Sequence, residues 1–446
     1  MDYQDCVDLI ARLQAHKPEG AIRPGGNVPE VLAALGHPER ALRGAMVVGT
    51  NGKGSTAAFA VSALTAAGVR VGSMPSPHLQ EPRERIRVDG VPVSRAAYVA
   101  ACEEVTAAAD RAGVVLSSSG MHVTTAAAHF RRAGVDLVVA EAGIGGRNAV
   151  VRFLGLGVTV VTGVALDHTD RLGGSLELIA RAKVGAVADG DHVLFGRLPA
   201  EAAEAADGAL AGRSGLTVWR MGAEIDHHYH RRRSVAEESL VDVVTPGGAR
   251  RGLVCPLPGG HQHHNLALGV AALDALVERG HAGRPDEAPL RERIAATRWP
   301  GRLELVAPAS LPGWTGRVLL DGATNPQGVA TVAPELRRLA GAARPAVVFA
   351  AVRGKDVPGM LAPLPADWPL VLTRTDAHDA AEPAALRAAL GPLGPERWRP
   401  GAAVVPEAAA ALRHAAGLVG PGGLVVVLGS HRLVGLVRTE LGLAPG

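Results

Sequence analysis

Apolar and polar positions along this chain fall into blocks of two periods. The first strong block opens at Ala45, where a short apolar run, Met46-Val47-Val48, leads into the glycine-rich stretch 49–56. An Ala-rich segment of helical character follows, to about Ala67. That order predicts a strand, a loop and a helix. Apolar runs at 136–140, 158–164 and 192–195 predict further strands, and the stretches 174–186 and 200–211 predict helices between them. Residues 5–15 read as a short amphipathic helix, and the Gly- and Pro-rich stretch 17–28 as loop. Strands alternating with helices predict an α/β fold with a mainly parallel sheet.

The rhythm breaks over 215–256, which predicts a β-rich excursion, and a helix resumes over 264–279. A linker is expected near 297–300. Beyond it, apolar runs at 318–320, 347–350, 370–373 and 424–428, with helical stretches at about 328–340 and 383–390, predict a second, smaller α/β unit of Rossmann-like type. The expected domains are therefore 1–297 and 298–446. No repeat of fixed period is present.

Composition narrows the choice of function. Aromatic residues make up only 3 % of the 446, so Ala, Val and Leu must do most of the packing. The net charge of +3 comes from scattered arginines. The longest basic run, Arg231-Arg232-Arg233, has no interleaved aromatics and does not suit nucleic acid. Anionic small molecules remain suitable ligands. The three cysteines are far apart and form no CxxC pair, which indicates neither a disulfide framework nor a zinc site. The N-terminus lacks signal-peptide architecture, and apolar runs such as 424–428 are too short to span a bilayer. A cytoplasmic protein without a membrane partner is expected.

The glycine stretch is Gly49-Thr50-Asn51-Gly52-Lys53-Gly54-Ser55-Thr56. Glycines let backbone N–H groups turn inward around a phosphate, Lys53 reaches the terminal phosphates, and the following helix N-terminus favours anions. Ser55 or Thr56 supplies a hydroxyl for phosphate or Mg²⁺. The spacing is shorter than the general GxxxxGK[ST] pattern, so the flanking strand and helix carry the inference. Glu141 ends an apolar run and precedes Gly143-Ile144-Gly145-Gly146-Arg147; a carboxylate at such a strand end suits a Mg²⁺ ligand, though alone it reads equally as a cap or surface charge. Asp167-His168-Thr169-Asp170 follows another apolar run. Lys183, in a mostly apolar helix, reads on its own as a lysine reaching for solvent. His261-Gln262-His263-His264-Asn265 resembles a metal cluster without decisive spacing, and Asp321-Gly322-Ala323-Thr324-Asn325-Pro326 reads as a turn.

Taken in order, these motifs resemble the Mur ligase superfamily, and within it the folylpolyglutamate synthase/dihydrofolate synthase family. The resemblance is carried by GTNGKGS at 49–55, SPH at 76–78, ERI at 84–86, EAGIGGR at 141–147, LDHTD at 166–170 and AKVG at 182–185. It continues with HQHHN at 261–265, WPGRLE at 299–304, DGATNP at 321–326, KD at 355–356 and GSHRLVG at 429–435. It implies a P-loop ATP-binding domain of Mur-ligase central type followed by a Rossmann-like ligase domain. It also implies an ATP-dependent, amide-forming ligase that works as a monomer through an acyl-phosphate, adding L-glutamate to dihydropteroate or folate. By the same resemblance, residues 49–56, Asn265, Arg302 and Asp321 bind ATP, and Ser76, Glu141 and His168 hold Mg²⁺. Lys53, Glu141, His168 and Lys183 serve catalysis, Lys183 at the position of a carbamylated lysine. An interdomain cleft that closes on ATP is implied too.

The chain departs from the family pattern at several places. GGR is followed by Asn148-Ala149-Val150-Val151-Arg152 where folate enzymes carry LDATN, so the Asp that contacts the pterin end is absent. Met121-His122 stands where the family has FE before a helix. Thr324 replaces a histidine, and the segment 23–29 lacks the usual leucine–glutamate pattern. His122, Arg147 and Arg152 are thus the candidate acid-substrate residues, and a different carboxylic acid, of secondary metabolism, is the alternative substrate. A third reading is an ATP-binding regulatory protein that has lost catalysis. A small-molecule P-loop kinase is a fourth.

Overall fold

The computed structural model describes residues 1–15, 26–147, 149–230, 239–307, 311, 314–391 and 401–446. Most of the expected loop 17–28, Asn148 and the run Arg231-Arg232-Arg233 lie outside these residues. The chain forms two compact units. The first comprises Met1–Pro77, Pro82–Pro256 and Gly260–Arg298, and the second His78–Glu81, Leu257–Gly259 and Trp299–Gly446.

The strands of unit 1 are β1 (Gly44–Val48), β2 (Val71–Met74), β3 (Arg87–Val88), β4 (Val91–Pro92), β5 (Leu137–Glu141), β6 (Gly157–Val161), β7 (His192–Phe195), β8 (Thr217–Arg220), β9 (Asp226–His230), β10 (Ser239–Thr245) and β11 (Gly248–Cys255). Its helices are α1 (Tyr3–Ala15), α2 (Val28–Ala34), α3 (Lys53–Ala66), α4 (Arg95–Ala112), α5 (Ser118–Ala133), α6 (Thr169–Leu172), α7 (Leu176–Val184), α8 (Ala200–Leu210), α9 (His261–Glu278) and α10 (Glu287–Ala295). An eight-stranded sheet runs in the order β4-β3-β2-β5-β1-β6-β7-β8, parallel from β2 to β8. All five residues of β1 and of β5 are buried, as the continuous apolar runs require of strands covered on both faces. Strands β9, β10 and β11 form a separate antiparallel sheet, the β-rich excursion expected over 215–256, while β8 joins the large sheet.

The scarcity of aromatics shows in the packing. Helices α3 and α9 lie against each other. At Gly269 an added Cβ would stand 2.6 Å from Phe59 Cβ, so a side chain there would force them apart. In unit 1, serine hydroxyls begin three of the described helices: Ser94, Ser117 and Ser175 accept from backbone N–H groups at the starts of α4, α5 and α7. In β10–β11–α9, Arg250 and Asp274 form a buried ion pair, Nη2 to Oδ1 2.5 Å and Nη1 to Oδ2 2.7 Å, with the Thr245 hydroxyl donating to Oδ2.

Unit 2 contains β12 (Glu304–Val306), β13 (Arg317–Leu320), β14 (Ala346–Phe349), β15 (Leu370–Leu372), β16 (Ala403–Val404) and β17 (Leu424–Leu428), in the order β12-β13-β17-β14-β15-β16. Among the described strand pairs of this sheet, only β12–β13 is antiparallel. Its helices are α11 (Pro326–Ala340), α12 (Val357–Leu361), α13 (Pro383–Ala389), α14 (Ala408–Val419) and α15 (His431–Glu440). Apolar clusters cover both sheet faces. The segment His78–Glu81 is held to α15 by Gln80, whose Oε1 accepts from Arg438 Nε at 3.0 Å.

Candidate active site

Because β2, β5, β1 and β6 are parallel, everything that leaves their C-terminal ends lies along one edge of the sheet. Those exits are the glycine loop after β1, Ser76 after β2, Glu141 at the end of β5 and the stretch 162–168 after β6. The chain runs outward from β1 to β2 on one side, then returns across β1 from β5 to β6. Thus β1 stands where the strand order reverses, the place at which open α/β sheets bind ligands.

The loop geometry depends on two glycines. Gly52, at φ 83°, begins α3, and a Cβ there would stand 2.5 Å from Asn265 Oδ1. Gly49, at φ 150°, leaves room for the Thr162 hydroxyl, which a Cβ would strike. Ser55 and Thr56 are buried in the first turn of α3, and Gly54 follows Lys53 there. Lys53 Nζ donates to Thr50 O at 3.0 Å and stands 3.9 Å from Glu141 Oε1. The other carboxylate oxygen, Glu141 Oε2, accepts from Ser76 N at 3.0 Å. Arg85 donates to Ser76 Oγ at 3.3 Å, and desolvation pulls its guanidinium down to about 10.

Lys183 does not reach solvent. Its side chain, near the C-terminal end of α7, is only 3 % exposed. Burial, reinforced by the positive charge of Lys53 and opposed by Asp167, brings its amine down to about 7. The apolar neighbours that suggested a snorkelling lysine are the core that desolvates it. Gly146 packs on this turn: the amides of Gly146 and Arg147 donate to Ala182 O at 2.9 and 2.8 Å, and a Cβ on Gly146 would collide with Lys183 O.

His168 sits at φ 50° before α6, a left-handed conformation uncommon for a residue with a side chain, with its Nε2 4.0 Å from Asp167 Oδ2. Ser76 and Glu141 are joined through the Ser76 backbone N–H, and His168 is presented on the exit loop of β6, which β1 separates from β5. Among the described residues, no three His, Cys, Asp or Glu side chains form a group able to hold a metal by themselves. HQHHN opens α9: Asn265 Nδ2 donates to Gln262 Oε1 at 2.8 Å, and Thr56 Oγ1 to Asn265 Oδ1 at 3.4 Å. His264 Nδ1 faces His227 Nε2 at 2.9 Å, and burial lowers His264 to about 4, so it is neutral.

His122 is buried within α5, so Met121-His122 stands inside the helix rather than before it; Ser117 supplies the cap and sets the start upstream. Arg147 is exposed beside Gly185, and Arg152 is exposed with its guanidinium 4.7 Å from the Phe153 ring centre. In unit 2, Asp321 is more than a turn residue. It is 2 % exposed and accepts from Leu303 N at 3.0 Å and Ala323 N at 2.9 Å, and burial raises it while Arg302 opposes the shift. A Cβ on Gly322 would meet both Arg302 Nη1 and His431. Asn325 caps α11 through Gly328 N, and Thr324 is half-buried.

In the sequence, Thr162 is one more β-branched residue of the run 158–164. The strand ends at Val161 because Thr162 turns onto the glycine loop, its Oγ1 donating to Asn51 O at 2.6 Å. Its only sequence signal is a hydroxyl before Gly163 at the end of an apolar run.

Residues 301–431 match the Mur ligase, glutamate ligase domain family. With a phosphate-type loop at the reversal point of a parallel sheet, this defines an ATP-dependent ligase of the Mur class. The chain is 32 % identical to the dihydrofolate synthase/folylpolyglutamate synthase of Mycobacterium tuberculosis, over 86 % of this chain and 81 % of that protein. It is 31 % identical to the protein of the same name from Bacillus subtilis, over 81 % and 85 %. It therefore belongs to the dihydrofolate synthase/folylpolyglutamate synthase family. The Mycobacterium tuberculosis folylpolyglutamate synthase complexed with ADP superposes with a TM-score of 0.87 at 29 % identity, covering 100 % of this chain and 99 % of that one. E. coli FolC in complex with DHPP and ADP gives 0.81 at 28 % identity, over 98 % and 97 %.

Proposed function

We propose that this protein phosphorylates the carboxylate of dihydropteroate or a folate with ATP and joins it to L-glutamate. The observation that carries the reading is the convergence, on one sheet edge, of a glycine loop, Lys53, the buried Glu141 and the buried Lys183. The loop amides and the α3 N-terminus bind the phosphates, and Lys53, placed at the β/γ end, balances charge as the γ-phosphoryl group transfers. The substrate carboxylate attacks the γ-phosphorus and ADP leaves. The amine nitrogen then attacks the acyl carbon, phosphate departs with a former carboxylate oxygen, and the amine gives up a proton.

Mg²⁺ fits the donors present. Glu141 offers a hard carboxylate that accepts from the Ser76 backbone N–H; Ser76 adds a hydroxyl, and His168, after β6, an imidazole. One or two protein ligands plus phosphate oxygens and water make the ordinary Mg²⁺ shell. Bound there, the ion would neutralise charge developing on the phosphates. Lys183, neutral for much of the time near pH 7, is suited to take up CO₂ as a carbamate and so add a carboxylate beside these groups. We take the enzyme to work as a monomer in the cytoplasm; no described helix is long and apolar enough to cross a membrane.

The departure at 147–152 favours a second reading, in which the same chemistry serves a different carboxylic acid. The test is ADP release from Mg-ATP with L-glutamate and either dihydropteroate or tetrahydrofolate, with the products weighed by mass spectrometry. Glutamate-dependent turnover with one glutamate added to the folate supports the first reading. ATP binding without turnover on either acid refutes it and leaves a different acid or a regulatory role.

A further inference from the structure

The exits of β1 and β6 are sewn together beyond the sheet ladder. Thr50 N donates to Gly163 O at 3.0 Å. Thr50 Oγ1 accepts from Ala165 N at 3.0 Å and donates to Ala165 O at 3.2 Å. From the other side, Thr162 Oγ1 donates to Asn51 O at 2.6 Å, with Val48 O also in range at 3.3 Å. The fit has no slack. A Cβ on Gly49 would strike the Thr162 hydroxyl, and one on Gly196 would strike the Thr162 carbonyl oxygen. Two residues beyond Ala165 the same segment presents Asp167, then His168.

We infer that Thr50 and Thr162 are positioning residues that lock the phosphate loop to the segment carrying His168, and so couple nucleotide binding to Mg²⁺ binding. The inference rests on the nucleotide and metal assignments proposed above. A glycine loop binds phosphate only while its peptide planes keep their N–H groups inward. Turning the Asn51–Gly52 peptide would swing its N–H away, and the Thr162 hydroxyl holds that peptide by its oxygen. Because the loop and the His168 segment share these bonds, ordering either one orders the other. That is the physical condition for a ligand at one to raise affinity at the other.

The test measures ADP binding by calorimetry, with and without Mg²⁺, for the parent, Thr162→Val, Thr162→Ser and Lys53→Ala, with thermal melts of each. Valine keeps the shape and removes the hydroxyl; serine keeps the hydroxyl. Thr162→Val is expected to weaken Mg-ADP binding about tenfold, equivalent to about 1.4 kcal/mol. It is also expected to shrink the ratio of affinities with and without Mg²⁺, and Thr162→Ser to restore both. Unchanged Mg-ADP affinity and an unchanged ratio in Thr162→Val, with binding lost in Lys53→Ala, overturn the clamp and leave the site. Unchanged binding in Lys53→Ala as well overturns the site itself. Weaker binding with an unaltered Mg²⁺ ratio, or failure of serine to rescue a folded protein, reduces Thr162 to a structural residue and overturns the inference. Should Thr162→Val not fold, Thr50→Val removes the other half of the clamp and carries the same expectations.

Discussion

The environment of Lys183 yields the sharpest prediction. With an ordinary value of 10.5, a lysine at about pH 7.5 is neutral in roughly one molecule in a thousand. With the amine brought down to about 7, about three quarters of molecules carry the neutral, nucleophilic form. Only that form attacks CO₂, so the side chain gains a factor of several hundred in reactive population from burial and the Lys53 charge. Protein equilibrated with ¹³C-bicarbonate at neutral pH should show a carbamate carbon by NMR that is absent in Lys183→Ala. Ligase turnover should fall in CO₂-depleted buffer and recover when bicarbonate is returned. Lys183→Ala should lose roughly 10–100-fold in activity, the usual cost of removing a group that supports a metal site, and small carboxylates should restore part of it. An amine that titrates near its ordinary value, with no carbamate signal and turnover indifferent to CO₂, would refute the reasoning.

Other consequences are equally checkable. In CO₂-free buffer, the depressed Lys183 should make stability rise with pH between about 7 and 10.5, because there the unfolded chain holds a proton that the folded one has shed. Lys183→Met should flatten that slope in urea titrations at several pH values. Asp274→Ala strips the buried Arg250 of its partner and should cost about 3–5 kcal/mol in urea unfolding. Gly146→Ala drives a methyl into the Lys183 carbonyl and should cost about 1–3 kcal/mol by overpacking, with activity falling further than stability because the α7 turn shifts.

Much of this was legible in the sequence for a physical reason: strands buried on both faces write continuous apolar runs, and 192–195 and 424–428 coincide with β7 and β17. The glycine loop announced itself because Gly49 and Gly52 have no substitutes in that geometry. What the sequence hid is what depends on which neighbour arrives from far along the chain. Lys183 in an apolar helix looks the same whether the helix end faces water or a second lysine, and only the fold brings Lys53 near it. Thr162 extended an apolar run, so its turn onto Asn51, 111 positions away, left no periodic trace. The histidines of HQHHN suggested a metal by composition, whereas His264 and His227 face each other, one of them held neutral by burial. The split of 215–256 between two sheets was likewise invisible, because edge pairing depends on partners rather than on the strand's own residues.

The central claim is that a carboxylate attacks the γ-phosphate of ATP at the edge formed by Lys53, Glu141 and Lys183. Dihydropteroate labelled with oxygen-18 in its carboxylate, turned over with Mg-ATP and L-glutamate, tests it most directly. The account predicts one labelled oxygen in the phosphate released per amide formed. Label in AMP, or unlabelled phosphate while amide accumulates, would contradict it.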